Sequence, residues 1–405
     1  MKTRGFLPIV PMLTLLVMLG PILAGIYGTI LPALGYLPAA GLTAVSLHSF
    51  ASVLGWVGLP RAAMLSVSTG LLATSVSLLI VVLLTAGWSG SRPFRVIERL
   101  LSPLLAVPHA AAAFGLAFLI APSGWIARLL SPAVTGWDRP PDLLILQDTY
   151  GFALTAGLIV KEVPFLLLIT LSAMGQADAQ RSAVVAHALG YGRVTGWIKT
   201  VFPRVYAQIR LPVYVVLAYA MSVVDMAVIL GPNTPPTLSV QIVKLMSDPN
   251  LSMRLDGAAA AVLQLGLVVG ALLFWRMGEW MLAVLGRRWI AAGSRGKMDV
   301  VAGGFGLGAG AICAVTVVLG LVVLAVWSFA GYWGFPDAMP EQLSFRNWVR
   351  HSGGTMDALW ETVVIAGVVT VVALILTIGS LEAEYRYGLR MSQRGLWLLY
   401  LPLLV

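Results

Sequence analysis

Residues 303–329 read GGFGLGAGAICAVTVVLGLVVLAVWSF and contain no charged residue. About 20 apolar residues in a helix cross the ~30 Å hydrocarbon layer of a membrane, so this stretch is long enough to span one. Continuous apolar runs predict helices, because the strands of a membrane barrel alternate in polarity every second residue. We therefore predict an all-α, polytopic transmembrane helical bundle. Nine spans are predicted at roughly residues 7–31, 62–87, 100–121, 149–174, 211–231, 257–280, 303–329, 360–381 and 395–405.

The composition of the chain supports a membrane protein. Of its 405 residues, 59% are hydrophobic and only 11% are charged, whereas about a quarter of an average soluble domain is charged. This balance excludes an ordinary soluble enzyme and a disordered chain. The single cysteine, Cys313, excludes an internal disulfide and a cysteine-based metal cluster.

The basic residues predict an orientation. With the N-terminus inside, the inner segments carry 17 of the 26 Lys and Arg residues and the outer loops carry seven. Because positive charge accumulates on the cytoplasmic side of membrane proteins, we predict a cytoplasmic N-terminus. The net charge of +9 then faces anionic membrane lipid. No basic patch interleaved with aromatic residues indicates binding to nucleic acid.

Two parts of the sequence match in order and spacing. SLHSF (46–50) precedes a span, a basic loop and SPLLAV (102–107), and SFRNW (344–348) precedes a span, a basic loop and LPLLV (401–405). Ser46 and Pro103 are 57 residues apart, and Ser344 and Pro402 are 58 apart. We interpret this as a tandem parallel repeat, although two membrane segments of similar composition can also match by chance. Residues 1–290 are then a first unit of six transmembrane helices, and residues 291–405 begin an incomplete second one.

The long inner segment 175–210 is amphipathic. Its central part reads AVVAHALGYGRVTGWIKTVFP (183–203), in which Gly190 and Gly192 interrupt two runs of helical spacing. Pro203 is expected to end the second run. We predict two short helices joined at Gly190, forming a rigid elbow that a partner on the inner side grips.

This segment resembles the cytoplasmic "EAA" loop of ABC-importer permeases. Gly190 takes the glycine position of that loop, Leu189 precedes it, and Phe202-Pro203 takes the Leu-Pro position. Ala186 keeps the second alanine, but Val184 stands where the family has glutamate and Val185 where it has the first alanine. The missing glutamate removes the usual charged contact with the ATPase. The resemblance implies these ATPase-coupling residues: Val184, Ala186, Leu189, Gly190, Tyr191, Gly192, Phe202 and Pro203.

Other segments extend the resemblance over most of the chain. Residues 104–125 are similar to a span and turn of permeases for thiamine, ferric iron and oxyanions, and residues 158–168 and 222–237 resemble a fused double-permease type. The resemblance implies a type I permease unit in a bacterial inner membrane, importing a small solute without a cofactor. It implies two partners, an ABC ATPase dimer on the cytoplasmic side and a periplasmic or extracellular substrate-binding protein. The chain contains no GxxxxGK[ST] motif for binding ATP, so ATP hydrolysis is assigned to a separate subunit.

Ionisable residues within predicted spans are candidates for the translocation path, because they are costly in lipid. Asp225 lies three residues after Ser222, a spacing that predicts one shared helix face. Asp225 either lines the path or pairs with Lys161 or a backbone group. Lys161 and Glu162 point about 100° apart on a helix, and each serves either the path or helix packing.

Several other residues are expected to have structural roles. His109 is expected to be hydrogen-bonded rather than a ligand, and the four histidines show no spacing for a metal site. Arg276 and Glu279 are predicted to pair. Gly266/Gly270 and Gly304/Gly308 are predicted to allow close helix contacts. The segments 121–125 and 231–237 are rigid turns, either ordinary ones or parts of an outer gate or docking site.

Two further classes of function are considered. An ion-gradient-driven secondary transporter can also contain parallel repeats, with Asp225 or Lys161 as its coupling group. The elbow argues against it, because an apolar elbow has no role there without an ATPase. An intramembrane enzyme is disfavoured because the sequence shows no catalytic spacing of carboxylates, Ser/His or His/Cys. The cargo stays open among a thiamine-like cation, ferric iron and an oxyanion.

Overall fold

The computed structural model describes residues 7–296 and 298–388. Within them the chain is helical, with two isolated β-bridges and no β-strand. Short 3₁₀ turns lie at Leu7–Ile9, Pro38–Ala40 and Ser102–Ala106. The α-helices are α1 (Val10–Ala33), α2 (His48–Gly55), α3 (Leu59–Trp88), α4 (Arg92–Leu101), α5 (His109–Ile120), α6 (Trp125–Leu130), α7 (Phe152–Gln176), α8 (Ala179–Ala188), α9 (Arg193–Thr200), α10 (Phe202–Ser222), α11 (Asp225–Leu230), α12 (Leu238–Met246), α13 (Met253–Ala291), α14 (Asp299–Phe329) and α15 (Arg346–Tyr387).

Eight helical segments in the described residues are long and apolar enough to cross a membrane, which confirms the polytopic bundle. The predicted ninth span, at 395–405, lies outside the described residues. The eight candidates are Leu7–Ala33, Leu59–Trp88, His109–Leu130, Phe152–Gln176, Phe202–Ser222, Met253–Ala291, Asp299–Phe329 and Arg346–Tyr387.

The third span begins later than predicted. Residues from 100 onward were expected to form one membrane helix, but α4 ends at Leu101 and a 3₁₀ turn follows at Ser102–Ala106. Pro108 disfavours the helical conformation of the residue before it, and Val107 is accordingly extended. The membrane helix α5 therefore starts at His109, and α4 is a separate amphipathic helix.

The fifth span is interrupted where it was predicted to be continuous. Helix α10 ends at Ser222, Val223 is extended, and Asp225 opens the short helix α11. The prediction that Ser222 and Asp225 share one helix face is therefore wrong. No proline or glycine lies between them, so composition gives no sign of this break.

Four helices form the centre of the bundle: α3 and α7 pack against each other, and both pack against α10 and α14. Half of the apolar window of α3 and 61% of that of α7 is buried, whereas the windows of α1 and α15 bury none. The outermost helices thus present their apolar side chains outward, as a bundle dissolved in lipid requires.

Glycines of α14 allow its close approach to the first part of the chain. A Cβ on Gly115 would lie 2.9 Å from the backbone carbon of Gly320, and one on Gly306 would lie 2.6 Å from the backbone of Leu83. The predicted contacts at Gly266/Gly270 and Gly304/Gly308 are wrong, since these glycines have no heavy atom within 4 Å of a Cβ position. The contacting glycines of α14 include Gly303, Gly306, Gly310 and Gly320.

The segments that follow α1 and α14 form the same pattern of hydrogen bonds. In each, a serine N–H bonds to a carbonyl near the end of the preceding helix, and the serine hydroxyl oxygen accepts the N–H two residues later. These bonds join Ser46 to Leu34 (2.8 Å) and His48 (3.0 Å), and Ser344 to Phe329 (2.7 Å) and Arg346 (3.1 Å). Each segment also contains one antiparallel bridge, Leu37–Leu42 and Ala330–Leu343. The next helices therefore start two residues after each serine, at His48 and Arg346.

Helices from the early and late parts of the chain pack against each other. Helix α14 packs on α3 and α5. Helix α15 packs on α1, where the Thr14 and Ser380 hydroxyls are 2.9 Å apart, and α1 also packs on α13. The described residues after 291 thus contact residues 1–290 through both α14 and α15.

We predict that Gly115→Leu destabilises the protein, because the side chain collides with the backbone of α14 at Gly320. Overpacking of this kind costs about 1–3 kcal/mol, so the apparent Tm in detergent should fall. Unfolding can be followed with a thiol-reactive dye, since Cys313 is the chain's single cysteine and is buried. Gly270→Leu is the matched control and should leave Tm nearly unchanged. Equal Tm values for the two variants would contradict the packing of α14.

Candidate functional site

The elbow consists of α8, a turn and α9, as the sequence predicted. Gly190 adopts a positive φ of 78°, which favours glycine. The N–H of Gly190 bonds to the carbonyl of His187 (2.9 Å), and the N–H of Tyr191 bonds to that of Ala186 (3.1 Å). This pair of bonds is the Schellman motif that ends helices at a glycine. The direction of the chain at the elbow is therefore fixed by Gly190.

The base of the elbow is anchored in the protein core. Trp197 of α9 is buried, and its ring lies 6.1 Å from that of Phe202. Ala186 is also buried, and a Cβ on Gly196 would lie 3.1 Å from its methyl group. Small residues at 186 and 196 therefore let α8 and α9 pack closely. Pro203 lies in the first turn of α10, where proline is tolerated, so the expectation that it ends the preceding helix is wrong: α9 ends at Thr200.

The tip of the elbow is apolar and exposed. Val184, Val185 and Leu189 are 69%, 59% and 60% exposed. Large apolar side chains grouped on a surface indicate a binding site. We call these three residues the apolar tip.

Lys161 is buried and bonds to backbone carbonyls. Its Nζ donates to the oxygens of Leu104 (2.9 Å), Leu105 (3.4 Å) and Val107 (2.5 Å), at the end of the 3₁₀ turn. An ammonium group at the end of a helix satisfies carbonyls that have no partner within it. The described residues contain no ion pair between Lys161 and Asp225. This lysine therefore supports the interruption between α4 and α5.

Glu162 faces a different group of residues from its neighbour Lys161. It is 5% exposed, and its Oε1 lies 4.0 Å from Nε2 of His109. The His109 ring is 4.8 Å from the ring of Tyr219. The structure thus joins α5, α7 and α10 in a polar cluster of Glu162, His109 and Tyr219. The sequence analysis did not select Tyr219. Its position three residues before Ser222 could have indicated it, because this spacing places both residues on one face of a helix.

Asp225 and Ser222 lie at the break between α10 and α11, and both are exposed. Asp225 Oδ1 accepts a hydrogen bond from the N–H of Met226 (2.9 Å), and the Ser222 hydroxyl donates to the carbonyl of Ala218. Asp225 therefore bonds to a backbone group. The sequence analysis gave a backbone group or Lys161 as its expected partner if it does not line the path. Its exposure also leaves the carboxylate accessible. The described residues contain no group of three His, Cys, Asp or Glu side chains that could hold a metal ion.

The predicted pair of Arg276 and Glu279 is confirmed at 2.7 Å. Glu279 also accepts hydrogen bonds from the hydroxyls of Tyr206 (2.6 Å) and Tyr214 (3.1 Å), and it lies 3.4 Å from Arg210. These contacts fasten α13 to α10. The role of Glu279 is therefore structural.

The turn 121–125 is bound to the loop that follows α14. Trp125 Nε1 donates to the carbonyl of Ala338 (2.9 Å). Arg128, which is buried, donates to the carbonyls of Gly334 (2.5 Å) and Asp337 (3.2 Å) and lies over the Trp333 ring. This turn therefore holds the loop after α14 at the end of the bundle opposite the elbow.

Comparison with known proteins identifies a related permease. The chain is 29% identical over 269 residues to "Inner membrane ABC transporter permease protein YnjC" of Escherichia coli (strain K12), with 65% of this chain and 50% of the relative covered. The chain thus spans about half the length of the curated relative it matches. No family model matches the chain. The similarity supports the resemblance to ABC-transporter permeases, and the eight candidate spans are those of a multi-pass membrane protein.

We predict that Lys161→Met lowers stability, because it leaves the carbonyls of 104, 105 and 107 without their donor. An unsatisfied buried polar group costs about 1–3 kcal/mol, which the same Tm measurement detects. Lys244→Met, at an exposed lysine on α12, is the control and should have little effect. A stable Lys161→Met protein with altered transport would instead place Lys161 in the path.

Proposed function

We propose that the chain is the membrane-spanning permease subunit of an ABC importer, which moves a small solute inward across the bacterial inner membrane. The observation that carries the proposal is the elbow around Gly190, a rigid element anchored at Trp197 that presents the apolar tip to solvent. Such an element can transmit force between a partner and the bundle. The subunit itself is not an enzyme, and ATP is hydrolysed by a separate chain.

An ABC ATPase dimer is the proposed partner at the elbow. Val184 replaces the family's glutamate, so the contact with the ATPase is apolar at this point, through the apolar tip. The exposed Arg181 and Arg193 flank it and suit acidic groups on the ATPase. Since ATP is cytoplasmic, the elbow and the N-terminus lie on the cytoplasmic side, in agreement with the distribution of Lys and Arg.

The chain is proposed to contain two permease units of a fused type. Residues 1–290 form the first unit, with its elbow at 175–210, and residues 291–405 belong to the second. The matching hydrogen bonds of Ser46 and Ser344 support this division, as does the packing of α14 on α3 and of α15 on α1. The shared turn geometry favours a repeat over a chance similarity of composition.

The proposed translocation path passes Asp225 and Ser222, at the break between α10 and α11. Breaks in membrane helices are tolerated where they are buried in protein or line a cavity. An exposed carboxylate at this place favours a cationic cargo over an oxyanion. Glu162 lies in the polar cluster and is a deeper candidate, whereas Lys161 is occupied by backbone carbonyls. A substrate-binding protein is proposed to deliver the solute at the outer turns 121–125 and 231–237.

An ion-gradient-driven transporter would leave the apolar tip without a partner. Exposed apolar groups in water are unfavourable by about 25 cal/mol per Å², so a surface of this kind is expected to be covered. The ABC importer is therefore the better supported function.

We predict that Gly190→Val abolishes coupling to the ATPase. A β-branched residue at a φ of 78° costs about 1–2 kcal/mol or more, so the turn changes its conformation and the apolar tip is displaced. Co-purification of the proposed ABC ATPase with this subunit, and stimulation of ATP hydrolysis by the binding protein, measure the effect. Gly175→Val is the control, since Gly175 has no heavy atom within 4 Å of a Cβ position. Normal ATP-driven uptake by Gly190→Val would refute the assignment of the elbow.

We also predict that Asp225→Asn reduces transport at least about tenfold while the complex still assembles. A charge-assisted hydrogen bond to a solute is worth about 1.5–3 kcal/mol. The assay is uptake of thiamine, ferric iron and molybdate by proteoliposomes that contain the full complex. Asp256→Asn is the control, because Asp256 is bonded to Ser52 away from the break. Unchanged uptake and affinity in Asp225→Asn would remove Asp225 from the path.

A further inference from the structure

The elbow is bonded to the segment that joins the two proposed units. Lys199 of α9 is 7% exposed, although it is charged. Its Nζ donates to the carbonyls of Trp289 (3.1 Å) and Ser294 (2.6 Å), at the end of α13. It also lies 4.4 Å from the ring centroid of Trp289. A positive charge at a helix C-terminus stabilises the free carbonyls and the helix dipole.

Asp299, at the start of α14, makes the opposite kind of contact with α9. Its Oδ2 accepts the N–H of Thr195 (3.0 Å) and its Oδ1 accepts the Thr195 hydroxyl (2.5 Å). Gly192 is the N-cap residue of α9 and has no side chain to satisfy the first N–H groups. The carboxylate of another helix therefore does so. A Cβ on Gly192 would lie 2.1 Å from Asp299 Oδ2, so the glycine makes room for the carboxylate.

Backbone contacts complete this junction. The N–H of Gly192 bonds to the carbonyl of Arg295 (3.4 Å). The Trp88 indole N–H donates to the carbonyl of Gly303 (2.8 Å), and Arg193 donates to the carbonyl of Ser89 (2.7 Å). The end of α3, the elbow and the start of α14 are thus held together.

We propose that Lys199 and Asp299 are positioning residues that fasten the elbow to the end of α13 and to the start of α14, so that movement of the elbow passes directly into the second unit. The inference rests on the proposed permease function. Lys199 closes the end of α13 and Asp299 closes the start of α9, so three helix termini form one rigid body. Helix α14 continues from it along α3 and α5 to the far end of the bundle, where Arg128 holds the following loop. Movement of the elbow around Gly190 is therefore passed on to α14 as well as to the first unit.

The first test uses the assembled complex with its ATPase and binding protein. Asp299→Ala and Lys199→Met should reduce stimulation of ATP hydrolysis by the binding protein at least about fivefold, while the ATPase still co-purifies. Asp299→Asn should restore most of the stimulation, because its amide oxygen can accept the Thr195 N–H. Asp256→Ala, an acidic residue in the first turn of α13, is the control. Full stimulation in both Asp299→Ala and Lys199→Met overturns the proposal.

The second test leaves Lys199 and Asp299 unchanged, so its result does not depend on the folding of a destabilised variant. Spin labels are placed at Gln180→Cys on α8 and Val300→Cys on α14, both exposed positions, in a Cys313→Ser background. The distance between them should be the same in the nucleotide-free and the ATP-trapped complex, while the distance from Gln180→Cys to Leu16→Cys on α1 changes. A change of several ångströms between 180 and 300 overturns the inference. Failure of the wild-type chain to bind the ATPase would instead refute the proposed function.

Discussion

Several interruptions of the helices in this bundle leave backbone groups without a partner inside the helix, and a charged side chain supplies that partner. Lys161 donates to the carbonyls between α4 and α5, Lys199 to those after α13, and Arg128 to those of the loop after α14. Asp148 accepts three N–H groups around the start of α7, and Asp299 accepts the N–H of Thr195. The need to pair backbone groups in a low-dielectric environment therefore accounts for the burial of Lys161, Lys199, Arg128 and Asp148.

This constraint changes how charges within the spans are interpreted. An ionisable residue in a membrane helix is a functional candidate by default, yet Lys161 and Glu279 are both occupied by contacts within the protein. Asp225 differs from them because it is exposed at a helix break. The polar cluster of Glu162, His109 and Tyr219 lies between these two cases, since it is largely buried but joins three helices.

The sequence predicted the features that depend on local composition. The length of the apolar runs predicted the spans. Gly190 predicted the turn of the elbow, because a glycine between two helical patterns marks a helix end. The break after Ser222 was not predicted, since it involves neither proline nor glycine and is decided by tertiary packing. The partners of Lys161 were missed because backbone carbonyls leave no signal in a sequence. The glycine-rich α14 offers more than one possible register, and only the positions of Leu83 and Gly115 select Gly306 and Gly320.

The packing of α14 on α3 and α5 has a consequence for the order of biogenesis. When the ribosome has completed residues 1–290, the surfaces of α3 and α5 that receive α14 are still open, and Gly115 and Leu83 face lipid instead of protein. Residues 1–290 can therefore reach their final packing only after about thirty more residues have entered the membrane. Because α14 belongs to the same polypeptide as α3 and α5, it is present at a high local concentration. It can therefore cover their open surface before another membrane protein occupies it.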